Sequence, residues 1–175
     1  DVTGDISLLA EGEISAGGYI EWPDAFGEGL AFRFIPADTK FLKVLRIESL
    51  EALDALTAAA PESPAEQAAD SVGLEVGFET DLAVHVDGKK WDGKNVQTTD
   101  VQFKDEAGAV VWEWKTPKAA DAQGQTVDGH FVLTQDEHGW IVSVRFPFAW
   151  LKAAAYPVIL DPDTIYAAST DGHIV

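Results

Sequence analysis

The sequence predicts an all-β fold, an antiparallel β-sandwich of jelly-roll-like or immunoglobulin-like type with one short helix. Many short apolar segments are separated by turn residues, which is typical of sandwiches and barrels rather than of α/β layers. Apolar and polar side chains alternate over 140–146, as they do in a strand with one buried face. Asp-Gly pairs, which favour tight turns, fall between apolar segments at 87–88, 92–93, 128–129 and 171–172.

The predicted strands are short segments rich in β-branched and aromatic residues. Those before the last third of the chain lie at 30–35, 41–47, 74–78, 82–86, 99–103 and 109–114. Residues 129–135 and 140–146 are then the two arms of a predicted hairpin, joined by 136–139. In the second arm, the even-numbered residues from Trp140 to Phe146 are expected on one buried face, with Ser143 on the opposite face.

One segment breaks this β pattern. Leu50, Leu53 and Leu56 fall on nearly one face of a helix over 49–60, for which Ser49 is the expected N-cap and Pro61 the stop signal. The stretch that follows, up to Asp70, is polar and contains proline but no aromatic residue. It predicts a mobile loop, so the helix and the loop together occupy about 49–72.

The closing segment is expected to form a short helical turn from Trp150 and then an apolar strand between Pro157 and Pro162. The two prolines restrict the hydrogen bonding of that strand, which suits a sheet edge or an exit into a next module. We therefore expect one sandwich domain over 1–165, with 166–175 as an exit strand or the start of a following segment. The chain contains no methionine, so we expect a processed product or an excerpt of a longer protein.

Charge and composition exclude several classes of function. The chain has 12 basic and 30 acidic residues, a net charge of −18, which repels nucleic acid and anionic membranes. Such charge serves solubility, a high-salt habitat or the collection of cations. The absence of cysteine removes disulfides, thiolate metal sites and cysteine nucleophiles. No apolar run has the length of a membrane-spanning helix, so we expect no membrane insertion.

No motif predicts catalysis or a cofactor. The sequence has no Gly-x-Ser-x-Gly elbow, phosphate loop or dinucleotide fingerprint. The four histidines, at 85, 130, 138 and 173, lack the spacing of a zinc helix. Weak calcium binding stays open, through oxygen-rich stretches at 121–128 and 161–163 that do not match an EF-hand loop. A carboxylate pair of the glycosidase kind also stays open, because acidic residues are abundant.

The tryptophans divide into two groups. Trp112 and Trp114 share one face of a predicted strand, and we interpret them as core residues rather than as a platform for sugar rings. Trp22 and Trp91 lie in turn-rich segments, which favours partial exposure. Together with Asp92, they are the candidate contact surface.

Two regions resemble a known family. Trp22-Pro-Asp-Ala-Phe, followed by the passage from Gly29 to Ile47, resembles the tyrosine-proline-aspartate, glycine, strand, lysine, strand pattern of β-sandwich modules in very large bacterial secreted and surface proteins and in some phage structural proteins. Trp22 stands where the family more often has tyrosine. The closing Tyr156-Pro-Val-Ile-Leu-Asp-Pro162 resembles the last strand of those modules, and 129–148 matches their final hairpin in character. The resemblance spans most of 20–165.

The resemblance implies a non-catalytic building block outside the cell or on a virion, with no catalytic residues to transfer. We therefore expect a structural module of a large extracellular or virion surface assembly, a phage decoration or tail protein or a bacterial surface protein, whose partners are other subunits or domains. The alternative is a carbohydrate-binding module or adhesin domain that binds glycans through Trp22 and Trp91. A glycoside-acting enzyme is a third, weaker alternative. No cofactor is expected, and nucleic acid is not an expected partner.

Overall fold

The computed structural model describes residues 13–14, 18–37, 40–59, 71–136, 139–161 and 166–167. Within these ranges the chain forms sixteen strands and two short helices. In chain order the strands are β1 (Glu13–Ile14), β2 (Ile20–Trp22), β3 (Leu30–Ala37), β4 (Lys40–Ile47), β5 (Ser71–Phe78), β6 (Ala83–Val86), β7 (Lys89–Lys90), β8 (Val96–Thr98), β9 (Val101–Lys104), β10 (Val110–Trp114), β11 (Lys118–Ala120), β12 (Thr126–Asp128), β13 (His130–Asp136), β14 (Gly139–Pro147), β15 (Val158–Asp161) and β16 (Tyr166–Ala167). The helices are α1 (Leu50–Ala59) and α2 (Phe148–Ala153).

The strands form three sheets in which neighbouring strands run antiparallel. A seven-stranded sheet has the order β1-β2-β3-β4-β15-β11-β12, a five-stranded sheet the order β16-β10-β9-β6-β7, and a four-stranded sheet the order β5-β14-β13-β8. This arrangement confirms the prediction of an all-β antiparallel fold. The expectation of a sheet edge for the last apolar strand is wrong, because β15 pairs with β4 on one side and with β11 on the other. Among the described residues, no helix has the length and apolar character needed to cross a membrane.

The hairpin of β13 and β14 is the longest stretch of pairing that the sequence predicts correctly. Its register runs from His130 opposite Arg145 to Asp136 opposite Gly139, so each arm extends one residue further into the connection than predicted. Val142, Val144 and Phe146 are buried, as the alternation indicates. Ser143 is also buried, at 6% exposure, although its position in the alternation predicts an outward side chain. Strand β14 is a central strand, paired with β13 on one edge and with β5 on the other, and both of its faces contain buried side chains.

Helix α1 begins where its cap predicts. The Ser49 hydroxyl oxygen accepts a hydrogen bond from the backbone N–H of Ala52 at 3.2 Å, and Leu53 is fully buried on the inward face. The second helix, α2, occupies the place where the sequence predicts a helical turn before the last strand. The predicted mobile loop falls on residues 60–70, which lie outside the described part of the chain.

One hydrophobic core connects all three sheets. Its most deeply buried side chains come from the seven-stranded sheet, the four-stranded sheet, the five-stranded sheet and both helices, and they include Leu30, Leu45, Ile47, Leu53, Val101, Phe131, Leu133, Phe146, Leu151, Val158 and Leu160. Each fully buried apolar side chain of this size stabilises the fold by about 1.5–3 kcal/mol relative to exposure. The described sheets therefore form one packed unit. Of the predicted segment 166–175, only β16 is described, and it pairs with β10.

Candidate functional site

A shallow, open depression that includes the predicted contact residues Trp91 and Asp92 lies at the end of the β6–β7 hairpin. Asp87 and Gly88 form the turn of this hairpin with positive φ angles of 49° and 77°, the geometry that Asp-Gly pairs favour. The chain then crosses from β7 to β8. We call the resulting depression the Trp91 groove; its volume is about 320 Å³, and its lining consists of Val86, Asp87, Lys89, Lys90, Trp91, Asp92, Lys94, Asn95 and Val96.

Trp91 forms the floor of this groove and is held from three sides. Its ring centroid lies 4.4 Å from that of Trp140 at an interplanar angle of 60°. Its indole Nε1 donates a hydrogen bond to the Lys94 carbonyl oxygen at 2.6 Å, and its backbone N–H donates to the Val84 carbonyl oxygen at 2.9 Å. The ring packs against the core and is partly buried. One part of the Trp91 ring thus covers the core, and the exposed part gives the groove an aromatic surface in a fixed position.

Asp92 and Lys94 form a local ion pair beside the ring. The Lys94 ammonium lies 2.7 Å from Asp92 Oδ2, and the Lys94 backbone N–H donates to Asp92 Oδ1 at 3.2 Å. The hydrogen bond from the Lys94 ammonium lowers the pKa of Asp92, and the same bond raises the pKa of Lys94. Both side chains stay mostly exposed, at 59% and 83%, so the pair fixes the loop shape but adds little to stability.

The charge of the Trp91 groove differs from that of the whole chain. Lys89, Lys90 and Lys94 line it together with Asp87 and Asp92, which gives 3 − 2 = +1 at this site in a chain of net charge −18. Lys89 and Lys90 are exposed, and in the described part of the chain neither forms an ion pair. Lys89 and Lys90 are thus two exposed basic residues in the lining of the groove.

Asp87 and Gly93 attach the groove to the rest of the fold. The Thr98 hydroxyl lies 2.6 Å from Asp87 Oδ1 and donates to it, and the same hydroxyl oxygen accepts from the Asp100 N–H at 3.0 Å. Gly93 has a φ of +82°, and a Cβ at this position would lie 2.5 Å from Gln135 Oε1 on β13. The groove thus rests on both the five-stranded and the four-stranded sheets.

Trp22 occupies a different place. It ends β2 in the seven-stranded sheet, where its ring lies 5.7 Å from Phe32, and Phe26 stacks edge-on against the same Phe32 at 6.2 Å. The turn after it is tied by a hydrogen bond from the Gly29 N–H to Asp24 Oδ1 at 2.7 Å. The structure therefore brings Trp91 and Asp92 together, whereas Trp22 lies in another sheet with other ring partners.

The remaining tryptophan pair has the predicted role. Trp112 and Trp114 on β10 are partly buried against the core, and Trp114 lies 4.7 Å from Phe103 and 5.7 Å from Phe131 between ring centroids. Interlocked rings of this kind contribute packing energy. These contacts favour the interpretation of the two residues as core rather than platform, although both rings stay partly exposed.

The acidic stretch considered for calcium is built around Asp121. Its Oδ1 accepts from the Gln123 and Gln125 N–H groups at 2.9 and 2.8 Å, and its Oδ2 accepts from the Ala155 N–H at 3.2 Å. Burial alone would raise the pKa of Asp121, but these backbone donors outweigh it and lower the pKa below its ordinary value. Asp121 therefore joins the β11–β12 turn to the segment after α2, and Asp128 at the end of that hairpin pairs with Lys118.

Metal ligation gains no support from the side chains that the structure describes, because they contain no group of three or more His, Asp or Glu suited to a metal ion. His85 lies on β6 and His130 on β13, in different sheets, while positions 138 and 173 fall outside the described ranges. Burial, with a contribution from the Arg145 charge, lowers the pKa of His130. Weak calcium binding stays a prediction.

The residues that sequence reasoning missed are the lysines of the groove. Three of the chain's twelve basic residues fall within the six positions 89–94, around Trp91. That local reversal of charge is visible in the sequence once it is compared with the overall excess of acid.

Comparison of the chain with protein-family models, with curated proteins and with solved structures finds no match. The site is therefore defined by its own geometry.

Proposed function

We propose that the chain is a non-catalytic structural module of a large extracellular or virion surface assembly, either a phage decoration or tail protein or a bacterial surface protein. The observation that carries this proposal is that several aspartate carboxylates bind backbone N–H groups within turns of the fold. Asp24, Asp105 and Asp121 each accept backbone N–H groups that close turns, at 2.7–2.8 Å for their shortest bonds. Carboxylates engaged in this way hold loops in shape, which suits a module that acts through its surface.

The edge of the four-stranded sheet supports assembly. Strand β5 has eight residues and, in the part of the chain that is described, pairs only with β14. It contains no lysine or proline, the residues that commonly protect sheet edges from pairing with other chains. A long edge of this kind is suited to ladder pairing with a neighbouring module.

Native mass measurement tests the structural proposal. Particles or cell-surface material from the source are isolated without denaturant, and the species that contains this chain is sized by analytical ultracentrifugation before and after mild dissociation. We expect a defined assembly of several subunits that dissociates to the parent chain. Recovery of the undissociated material as a single parent chain would contradict the proposal.

The Trp91 groove favours a second candidate, a carbohydrate-binding module or adhesin domain. A fixed indole face beside exposed polar side chains is the arrangement that stacks on sugar rings and bonds their hydroxyl groups. A glycan array probed with the wild-type chain and with Trp91→Ala tests it, with Trp22→Ala as the comparison, because Trp22 lies outside the groove; both variants are used only if thermal melts show that they are folded, since both rings pack against other rings. Binding lost in Trp91→Ala and kept in Trp22→Ala supports this candidate, while no binding across the array counts against it.

A further inference from the structure

We infer that the Trp91 groove takes an acidic saccharide, a sugar that carries a carboxylate or sulfate group. The inference rests on the carbohydrate-binding candidate and adds a chemical class of ligand to it. It depends on three features of the groove, namely the fixed ring, the free lysines and the size of the depression.

The fixed ring provides the contact for a sugar rather than for a bare anion. Trp140 supports one side of the Trp91 ring, and the indole N–H is already bonded to the Lys94 carbonyl oxygen. The ring therefore offers the groove an apolar surface and no free donor. Apolar surface of this kind is worth most to a ligand with a flat C–H face, which sugars have and inorganic anions lack.

The free lysines provide the preference for acid. Lys94 is neutralised by Asp92, so a ligand anion meets Lys89 and Lys90, which are exposed and without an ion-pair partner in the described chain. The lining carries a local charge of +1 on a chain of −18, so an anionic ligand meets less repulsion at this groove than the net charge of the chain implies. The Asp92 carboxylate remains to accept hydrogen bonds from the hydroxyl groups of the sugar, and the Asn95 side-chain amide remains to donate to them.

The volume limits the length of the ligand. At about 320 Å³ the groove lies at the lower end of the range of roughly 300–1,000 Å³ that is typical of small-molecule sites. Its open shape suits a short segment of a saccharide, bound on one face.

Titration calorimetry with four short probes tests the inference. The probes are trigalacturonate, a sulfated trisaccharide, neutral cellotriose and tripolyphosphate, measured with the full chain at low and at moderate salt. We expect at least one acidic trisaccharide to bind about tenfold more tightly than cellotriose and tripolyphosphate, with a preference over cellotriose that shrinks as salt screens the lysines.

Matched variants assign the preference to the groove. Lys89→Ala/Lys90→Ala is expected to weaken acidic trisaccharide binding about tenfold, while Lys118→Ala/Lys152→Ala, which removes the same charge from two exposed lysines elsewhere, leaves it within about twofold. Because Trp91 packs against Trp140, Trp91→Phe is used in place of full truncation, with the melting temperature as a check of folding. This variant is expected to weaken every saccharide.

The outcomes separate failure of the inference from failure of the function beneath it. If acidic and neutral trisaccharides bind equally tightly, and the Lys89→Ala/Lys90→Ala variant binds them as the wild type does, the acid preference is overturned and carbohydrate binding stays in place. Binding of none of the three saccharides overturns both. Tripolyphosphate bound as tightly as the acidic sugars, with no effect of Trp91→Phe, also overturns the inference, because charge alone then accounts for binding.

Discussion

The Trp22 turn, residues 22–29, and the Trp91 turn, residues 91–95, begin with the same kinds of residue and end with different surfaces. Each has a tryptophan followed closely by aspartate and glycine. In the first, Asp24 binds the Gly29 N–H and Phe26 packs on Phe32, so the turn closes over the sheet. In the second, Asp92 binds the exposed Lys94 twice, through the ammonium at 2.7 Å and the backbone N–H at 3.2 Å, and the turn borders an open groove. The two turns therefore differ in what surrounds the carboxylate: the first closes over buried Phe32, and the second ties only to its own exposed lysine.

The largest loss of stability is expected when the ring of Phe32, which the Trp22 turn covers, is removed. Phe32 is buried and touches both Trp22 and Phe26, so Phe32→Ala should lower the free energy of unfolding by about 3–5 kcal/mol. Urea denaturation followed by tryptophan fluorescence measures this. Phe32→Leu, which keeps most of the apolar volume, should cost clearly less. A loss below about 1 kcal/mol for Phe32→Ala would show that the turn is not closed over a packed core.

Two glycines with nearly identical backbone angles separate strain from packing. Gly29 has a φ of +76° and Gly88 a φ of +77°, but a Cβ on Gly29 would lie 3.0 Å from the Ala52 Cβ, whereas one on Gly88 has nothing within 4 Å. Alanine in the left-handed region costs about 1 kcal/mol, which we expect for Gly88→Ala, and the contact with α1 should bring Gly29→Ala to about 2 kcal/mol. Denaturation measures the free energy of unfolding of both variants. If Gly29→Ala and Gly88→Ala lose the same amount, the contact with Ala52 contributes nothing to the cost.

The two aspartates test the comparison directly. Asp24→Ala removes the acceptor of the Gly29 N–H and should cost about 1 kcal/mol, as the loss of a capping side chain does. Asp92→Ala removes an exposed ion pair and should leave the melting temperature unchanged within error. Asp24→Asn keeps an acceptor oxygen and is the control for charge. A larger loss in Asp92→Ala than in Asp24→Ala would reverse the assignment of the two turns.

The fold could be predicted where a segment is long enough to show its period. Strands β3, β4 and β14 each contain eight or nine residues, and alternation or β propensity locates them to within two residues. Strands β7, β8, β11 and β12 contain two or three residues each, which is too few to show a period of two. The pairing of β8 with β13 and of β11 with β15 also joins strands that are distant in the chain, and local sequence does not contain that information.

The site was predictable in its residue types and not in its geometry. A tryptophan and an aspartate in a turn-rich segment indicate exposure, and the cluster of lysines around Trp91 is visible in the sequence. The groove itself depends on Trp140, which lies 49 positions later and supports the ring from the four-stranded sheet. Trp22 looks equally suitable in the sequence, but the pairing of β2 with β3 places it in the seven-stranded sheet, with its ring against Phe32.

The smallest expected effect, and the most specific, concerns acid stability. The backbone donors around Asp121 hold its pKa below the ordinary value of 3.8, so folding favours its ionised form. The stability that this provides is present above the pKa of the unfolded chain and is lost as the pH falls through the lower, folded pKa. Asp121→Asn should therefore be less stable than wild type at pH 7 and approach it as the pH falls from 5 to 2, in thermal melts. Asp92 is the comparison: the exposed Lys94 lowers its pKa, but because the pair is exposed, Asp92→Asn should show no pH-dependent difference from wild type beyond error. If 0.5 M salt abolishes the Asp121 effect, long-range charge rather than backbone hydrogen bonding holds that turn, and the distinction between the two carboxylates fails.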